Sequence, residues 1–511
     1  MVSWTTFTLG GLDVMGIVYL TAIGVSCYFA MLMIYRIFFH PLSKYPGPFI
    51  NKFCPIPSII SLLKGRMGMD IKTLHDKYGR VVRIAPTELS FNGVQAWEDI
   101  YGYRHGKTNM PKDPVHAGAV QSVQGVVSMQ YEPDEATHAR QKRGLAYSFS
   151  QKALNEQEPI INSHIGKFEN KIAEYSERGQ IFNLADWYNF LTFDTIGDLA
   201  FKEYYGCLDD GEYHYWVTLV FKAVKAGALV QSTRRFSTAG YPLQKLLLHA
   251  FGDIFAPNKE HMKLTRAQVK KRLENTNDDH RDFLWYILKQ QEKFELREEE
   301  IITNSALFIL AGSETTANSL SGLTARLLRD RRVYDKLVEE IRSEFSSEED
   351  ICHDRTMRMP YLNACINEGL RVHPPITPGL LRTVPEGGAT IDGCDVPSGT
   401  TVSVSSWAAS HNPANFVHPD EFIPERWLEE AFSTDHKKAT QPFSLGPRVC
   451  LGKNLAWMEI RLALTRLLWK FDIETVDGAR MWDPDGQMKH MKAYMVWAVP
   501  ELNVKATPAR R

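Results

Sequence analysis

The stretch Gln441–Phe471, QPFSLGPRVCLGKNLAWMEIRLALTRLLWKF, passes from an irregular loop into a long amphipathic helix, with one cysteine, Cys450, at the join. Gly446 and Arg448 precede the cysteine and Gly452 follows it. Leu451, Leu455, Met458, Leu462 and Trp469 recur at spacings of four, three, four and seven, which gives the helix one buried face. A thiol at a helix N-terminus meets the positive end of the macrodipole and unpaired backbone N–H groups. Both favour the thiolate and lower its pKa. Glycines lack Cβ and let a flat ligand approach the backbone. Arg448 can pair with an anionic group at that ligand's edge, and Phe443 can shield the sulfur. On these residues alone Cys450 is either a thiolate metal ligand or nucleophile, or a small buried hydrophobe, a common fate of cysteine.

The surrounding chain has 511 residues and is 44% hydrophobic, enough for a large buried core. Its formal net charge of −1 provides no global field for nucleic acid. No charged tail, low-complexity segment or internal repeat interrupts it. The seven cysteines, Cys27, Cys54, Cys207, Cys352, Cys365, Cys394 and Cys450, are widely spread with no C-x-x-C pair. That argues against a disulfide framework or a zinc site and for a reducing, cytosol-facing protein.

The N-terminus differs from the rest. Val14–Tyr35 carries no charge over 22 residues, and as a helix it spans roughly 33 Å, enough to cross a bilayer core. No Lys or Arg precedes it, whereas Arg36, Lys44 and Lys52 follow, so the positive-inside rule leaves the body cytosolic. HPLSKYPGPF, with three prolines and a glycine, cannot continue the helix and is expected to be a stiff linker. The expected organisation is a membrane anchor at 1–35, a proline-rich linker at 36–48 and one large catalytic domain at 49–511. Within that domain, RVVRIAPTELSFNG predicts a small hairpin. Helical patterns dominate from Pro133 to Trp285, and further helices are expected over Glu298–Asp330, Arg331–Phe345 and PYLNACINEGLRV. Short strands return over Leu381–Val404 and near the C-terminus, giving a mainly α body with minor β.

Two more constellations stand out. ITNSALFILAGSETTANSLSGL places Ala311, Gly312, Ser313, Glu314, Thr315 and Thr316 inside a long helix. Glycine there costs about 1 kcal/mol against alanine, and hydroxyls that bond back to carbonyls bend helices, so a local opening is expected. An acid beside a hydroxyl suits proton delivery; a polar helix interface is the plain alternative. In EGLR, Glu368 and Arg371 share a helix face three residues apart and can pair.

FSLGPRVCLG fits Phe-x-x-Gly-x-Arg-x-Cys-x-Gly at all five fixed positions, and in this it resembles the haem-binding loop of the cytochrome P450 family. AGSETT resembles that family's Ala/Gly-Gly-x-Asp/Glu-Thr signature, EGLR its Glu-x-x-Arg motif, and PERW, Pro424–Trp427, its Pro-Glu-Arg motif. The resemblance covers essentially the whole chain, with the motifs in the family's order. The finer likeness is to microsomal fungal members of secondary metabolism.

The resemblance implies the mainly helical P450 fold and a haem b cofactor whose axial thiolate is Cys450, the metal ligand. Arg448 and Arg382 would meet haem propionates. Phe443, Gly446 and Gly452 would complete the haem-binding loop, and Glu314 and Thr315 would guide protons towards dioxygen. Arg426 would join Glu368 and Arg371 in a buried cluster. His138 stands where the family has an aromatic or histidine, but four residues on it has Lys142 where the family has a propionate-binding arginine, with Arg140 and Arg143 as neighbours. Lysine offers the charge without the bidentate fork.

The implied activity is that of a single-pass, monomeric monooxygenase of the endoplasmic reticulum membrane, facing the cytosol. It would be supplied with electrons from NADPH by an NADPH–cytochrome reductase and act on an apolar small molecule, with no nucleic acid partner. Substrate contacts are expected in PVHAGAVQSVQGVVSM and around Ala223–Ser237. One alternative is a haem-thiolate isomerase that rearranges peroxides without a reductase, against which the retained Glu314 and Thr315 argue. Another is a non-catalytic membrane protein with a structural cysteine.

Overall fold

The N-terminal apolar run folds as one helix, Val14–Ile34, continued by a π-helical turn at Tyr35–Phe39. The structure, a computed structural model, describes residues 14–509 except 105, 107, 118–124, 237–241, 243–244, 247–255, 275–279, 477 and 483–490. The run is long and apolar enough to cross a membrane, and none of it is buried against the body.

The segment after it, expected to be a stiff linker, packs against the body. Leu42 and Tyr45 are buried in an apolar cluster with Leu89, Trp97 and Val402. The Tyr45 hydroxyl donates to the Asp395 carbonyl at 2.7 Å, and the Arg83 amide donates to the Pro46 carbonyl at 2.7 Å. The proline-rich stretch is therefore docked on the small sheet it was expected only to precede.

That sheet has four strands in the order Val81–Ala85, Glu88–Phe91, Thr401–Val404, Arg382–Thr383. The first two form the expected antiparallel hairpin, with Val81 opposite Phe91. Glu88–Phe91 then runs parallel to Thr401–Val404, which closes a link of more than 300 residues along the chain. A second sheet joins Phe182–Asn183, Asn503–Pro508 and Phe471–Thr475, so the C-terminal strand ties down the end of the helix that follows Cys450.

The helices lie where the apolar periodicity puts them: Glu135–Leu145, Gln151–Glu177, Leu184–Phe201, Tyr215–Arg234, Ala256–Glu274, Glu298–Arg329, Arg331–Glu344, Pro360–Val372 and Lys453–Lys470. Leu184–Phe201 is buried along nearly its whole length, its few polar side chains included, the pattern of a helix enclosed on every side. It packs along Glu298–Arg329, and Lys453–Lys470 packs on both that helix and Gln151–Glu177. The long mid-chain helix and the cysteine loop thus face each other within the largest apolar core.

The loop before Cys450 is anchored by ions. Glu368 accepts from Arg371 through both carboxylate oxygens, at 2.8 and 2.9 Å, and from the Arg426 Nε at 2.9 Å. Arg426 also pairs with Asp435, a member that the motifs had not indicated. Burial opposes ionisation of Glu368, but the two guanidinium groups hold its pKa below the usual value.

Candidate active site

Cys450 lies between a single 3₁₀ turn, Gly446–Arg448, and the helix that starts at Lys453. Its N–H donates to the Phe443 carbonyl at 2.9 Å, which closes the loop into a tight arch. Gly446 has φ +69°, and a Cβ there would stand 2.1 Å from the Tyr101 carbonyl oxygen. The left-handed backbone and that close approach account for this glycine without any ligand. Gly452 is different: its φ is −83°, and a Cβ there would meet nothing nearer than the Phe149 ring at 4.0 Å.

The thiol opens into a cavity of about 380 Å³. Phe443, Arg448, Gly452 and Glu459 line it on the thiol's side, and Ala311, Gly312, Glu314 and Thr315 come from the mid-chain helix. The expected fall in the thiol's pKa is not met. Burial pushes the Cys450 thiol above its usual value, and this outweighs the N–H groups of Gly452 and Lys453 and the charges of Lys142 and Lys453. Desolvation beats the helix terminus here, so a metal ion is what would draw the proton off.

The mid-chain helix is unbroken from Glu298 to Arg329, and the expected opening at Gly312 is absent. The hydroxyls bond back to carbonyls inside the turn: Ser313 to Ile309 at 2.8 Å, Thr315 to Ala311 at 2.5 Å and Ser319 to Thr315 at 2.8 Å. Gly312 admits the Ile196 side chain, which a Cβ would meet at 2.7 Å. Glu314 is 3% exposed and its Oε1 has no hydrogen-bond partner. Burial raises its pKa to about 8, so at neutral pH it holds a proton beside Thr315. Glu459, which the sequence reading passed over, is a second such acid, pushed to about 8 by burial and hydrogen-bonded to Thr316. Its signal was available: Glu459 falls four after Leu455 and three before Leu462, on the apolar face.

The same cavity is ringed by cations at one edge. Lys112, His138 and Arg448 line it, and Arg382 is buried beside Lys112, to which its backbone is bridged. Arg448 is brought down to about 10, by burial first and by Arg382 second, and its Nη1 has no partner. Burial, Arg382 and Arg448 hold the Lys112 ammonium well below its usual pKa. His138 is lowered to about 3 by burial and then by Arg448 and Lys142, so it is neutral. Among the described residues none of Lys112, Arg382 and Arg448 makes an ion pair. Lys112 and Arg382 are buried and Arg448 is half-buried, none of them in an ion pair, so this edge suits the anionic groups of a ligand. A thiol donor in the wall and a cationic edge fit a haem, whose iron Cys450 would hold and whose propionates Arg448, Arg382 and Lys112 would meet. Lys112 was not foreseen, because only the tertiary fold brings its loop to this edge.

Lys142 does not stand at that edge. Its Nζ donates to the Pro447 carbonyl at 2.8 Å and to the Val449 carbonyl at 3.2 Å. Nor do its neighbours replace it: Arg140 pairs with Glu300 at 2.5 Å, and the exposed Arg143 bonds to the Ala139 carbonyl at 3.2 Å. Of the expected substrate loops, Val126–Met129 and Ala223, Val224 and Gly227 do line the cavity. Residues 118–124 and Ser237 lie outside the described residues.

A family model described as Cytochrome P450 matches residues 46–498. The cytochrome P450 monooxygenase aba2 of Botryotinia fuckeliana is 43% identical over 480 residues, covering 92% of this chain and 91% of that protein. The cytochrome P450 monooxygenase ABA2 of Pyricularia oryzae is 39% identical, covering 96% of this chain and 97% of that protein. The trichothecene C-15 hydroxylase of Fusarium sporotrichioides is 37% identical, covering 94% and 96%.

Proposed function

The chain belongs to the cytochrome P450 family of haem-dependent monooxygenases, and from that premise we propose that it is a membrane-anchored enzyme oxidising an apolar intermediate of fungal secondary metabolism. One observation carries this reading: the Cys450 thiol and the protonated Glu314 beside Thr315 line the same mainly apolar cavity. When bound, haem supplies oxygen activation, with the thiolate's electron donation favouring cleavage of the O–O bond.

The chain's own residues do the rest. Arg448, Arg382 and Lys112 would hold the haem carboxylates, and Phe443 would cover the thiolate side. The Thr315 hydroxyl, which donates to the Ala311 carbonyl at 2.5 Å, would turn its hydrogen to an acceptor in the cavity and take a replacement proton supplied by the Glu314 carboxyl, which lines the same cavity. Val126, Val220, Val224, Leu307 and Ile376 exclude water and present apolar surface to the substrate. NADPH is oxidised by a separate reductase, and Val14–Ile34 anchors the enzyme in the endoplasmic reticulum with the body in the cytosol. Hydroxylation, the activity in the printed name of the Fusarium relative, is the first reaction to test.

The test is expression with a fungal NADPH–cytochrome reductase in microsomes. A red-shifted ferrous–carbon monoxide band is expected, together with an oxygenated metabolite that requires NADPH and disappears in C450A. A band without the red shift would remove the thiolate assignment.

A further inference from the structure

The helix Glu135–Leu145 spans the site from one wall to the other through three consecutive residues. Arg140 pairs with Glu300, which is fully buried, and also donates to the Glu295 carbonyl at 2.9 Å. Gln141 accepts from the Asn304 amide at 3.0 Å, while the Asn304 carbonyl oxygen accepts from the Met129 N–H at 2.9 Å. Both partners belong to the helix that carries Thr315. Lys142 points the other way and takes the carbonyls on either side of Arg448. Gly144 seats the helix further, since a Cβ there would stand 2.7 Å from Leu296.

We propose that Lys142 is a positioning residue for the iron-binding cysteine. Its ammonium clasps the Pro447–Val449 arch to the strut formed by Glu135–Leu145 and sets a positive charge against the carbonyl of the residue before Cys450, in place of a propionate contact. The inference rests on the haem-thiolate assignment of Cys450.

Lysine suits this role. A guanidinium fork matches a planar carboxylate, whereas a compact ammonium with three donors can serve two carbonyls that do not lie side by side. Without it, both carbonyls lose a charge-assisted bond and the arch loses its tie to the opposite wall. The charge has a second consequence. Adding one electron to the haem–thiolate unit adds one negative charge and moves no proton. A cation near the sulfur stabilises the reduced state and raises the midpoint potential.

The test uses purified holoenzyme in a mediated dithionite titration, with thermal conversion of the ferrous–carbon monoxide complex from its red-shifted thiolate form to its thiol form as a second readout. K142M removes charge and donors, and should lower the midpoint potential and speed the conversion several-fold. K142R keeps the charge but offers a planar fork to the two carbonyls, and should hold the potential near the wild type while conversion quickens, by less than in K142M. K142Q, neutral but still a donor, should lower the potential with a smaller effect on conversion, and it serves if K142M does not accumulate. A wild-type potential in K142M and K142Q overturns the proposal. So does faster loss of haem to apomyoglobin in K142M with the potential unmoved, which is the signature of a propionate contact. Absence of the red-shifted band in the wild-type protein would instead defeat the haem-thiolate reading itself.

Discussion

Arg426 Nε donates to Glu368 Oε1 at 2.9 Å across 58 residues of sequence, and neither side chain is exposed at all. Glu368 is the hub of this cluster, because its two oxygens also accept from Arg371, the Ile423 N–H and the Trp427 indole. E368Q replaces an acceptor by an NH2 group facing donors and leaves two buried guanidinium groups short of charge. Breaking such a buried pair costs about 3–5 kcal/mol. Urea unfolding of E368Q should show a loss of that order, and the fraction of haem-loaded protein on expression should fall with it.

Two buried acids, Glu314 and Glu459, make stability depend on pH. Each is raised by burial from 4.5 to about 8. Between those values the folded state keeps a proton that the unfolded chain has released. Stability is therefore fully present below the unfolded value and is lost as pH rises through about 8. The slope is about 1.4 kcal/mol per pH unit for each group within the window. E314Q and E459Q should each flatten the fall, and the double variant should flatten it further, leaving the part due to other carboxyls that burial raises, such as Glu88 and Asp194. Urea midpoints measured from about pH 5 to about pH 9 check this. A wild-type slope in the double variant would show that neither carboxyl is held protonated.

Proton delivery has its own signature. T315V removes the hydroxyl and keeps the shape, and E314Q removes the acid. Product formation should fall by about 10²-fold in either, the low end of what a positioned proton donor contributes. NADPH consumption should continue, with hydrogen peroxide released in place of product. Unchanged turnover in T315V that needs no NADPH would favour the peroxide-rearranging alternative.

The limits of sequence reading at this site follow from physical range. The helices around the cavity were legible because their apolar spacing is local, and the family match brought Cys450, Arg448 and Glu314 forward by number. The docking of Leu42 and Tyr45 was not legible, since prolines announce rigidity and not what a segment packs against. The Cys450 pKa was misjudged because the helix terminus is visible in sequence, whereas desolvation depends on everything folded around the thiol. Lys142 occupies the expected position, yet its side chain turns towards carbonyls that lie about 305 residues away in the chain. No spacing rule reports that.

Gly446 and Gly452 are equivalent in the motif, and the structure separates them. At Gly446 an added Cβ meets the Tyr101 carbonyl oxygen at 2.1 Å on a left-handed backbone. Tyr101 cannot yield easily: its hydroxyl donates to the Leu380 carbonyl at 2.9 Å and accepts from the Val404 N–H at 3.0 Å. G446A should therefore destabilise even haem-stripped protein by about 3 kcal/mol, from left-handed strain plus overpacking. At Gly452 a Cβ meets only the Phe149 ring at 4.0 Å. Haem-stripped G452A should stay within about 0.5 kcal/mol of the wild type. Gly452 lines the cavity, however, and a methyl group there stands where a porphyrin face would lie against the backbone. Haem transfer to apomyoglobin should be faster from G452A than from the wild type. Equal transfer rates would mean that the porphyrin does not approach the backbone at Gly452, and that glycine would then need another explanation.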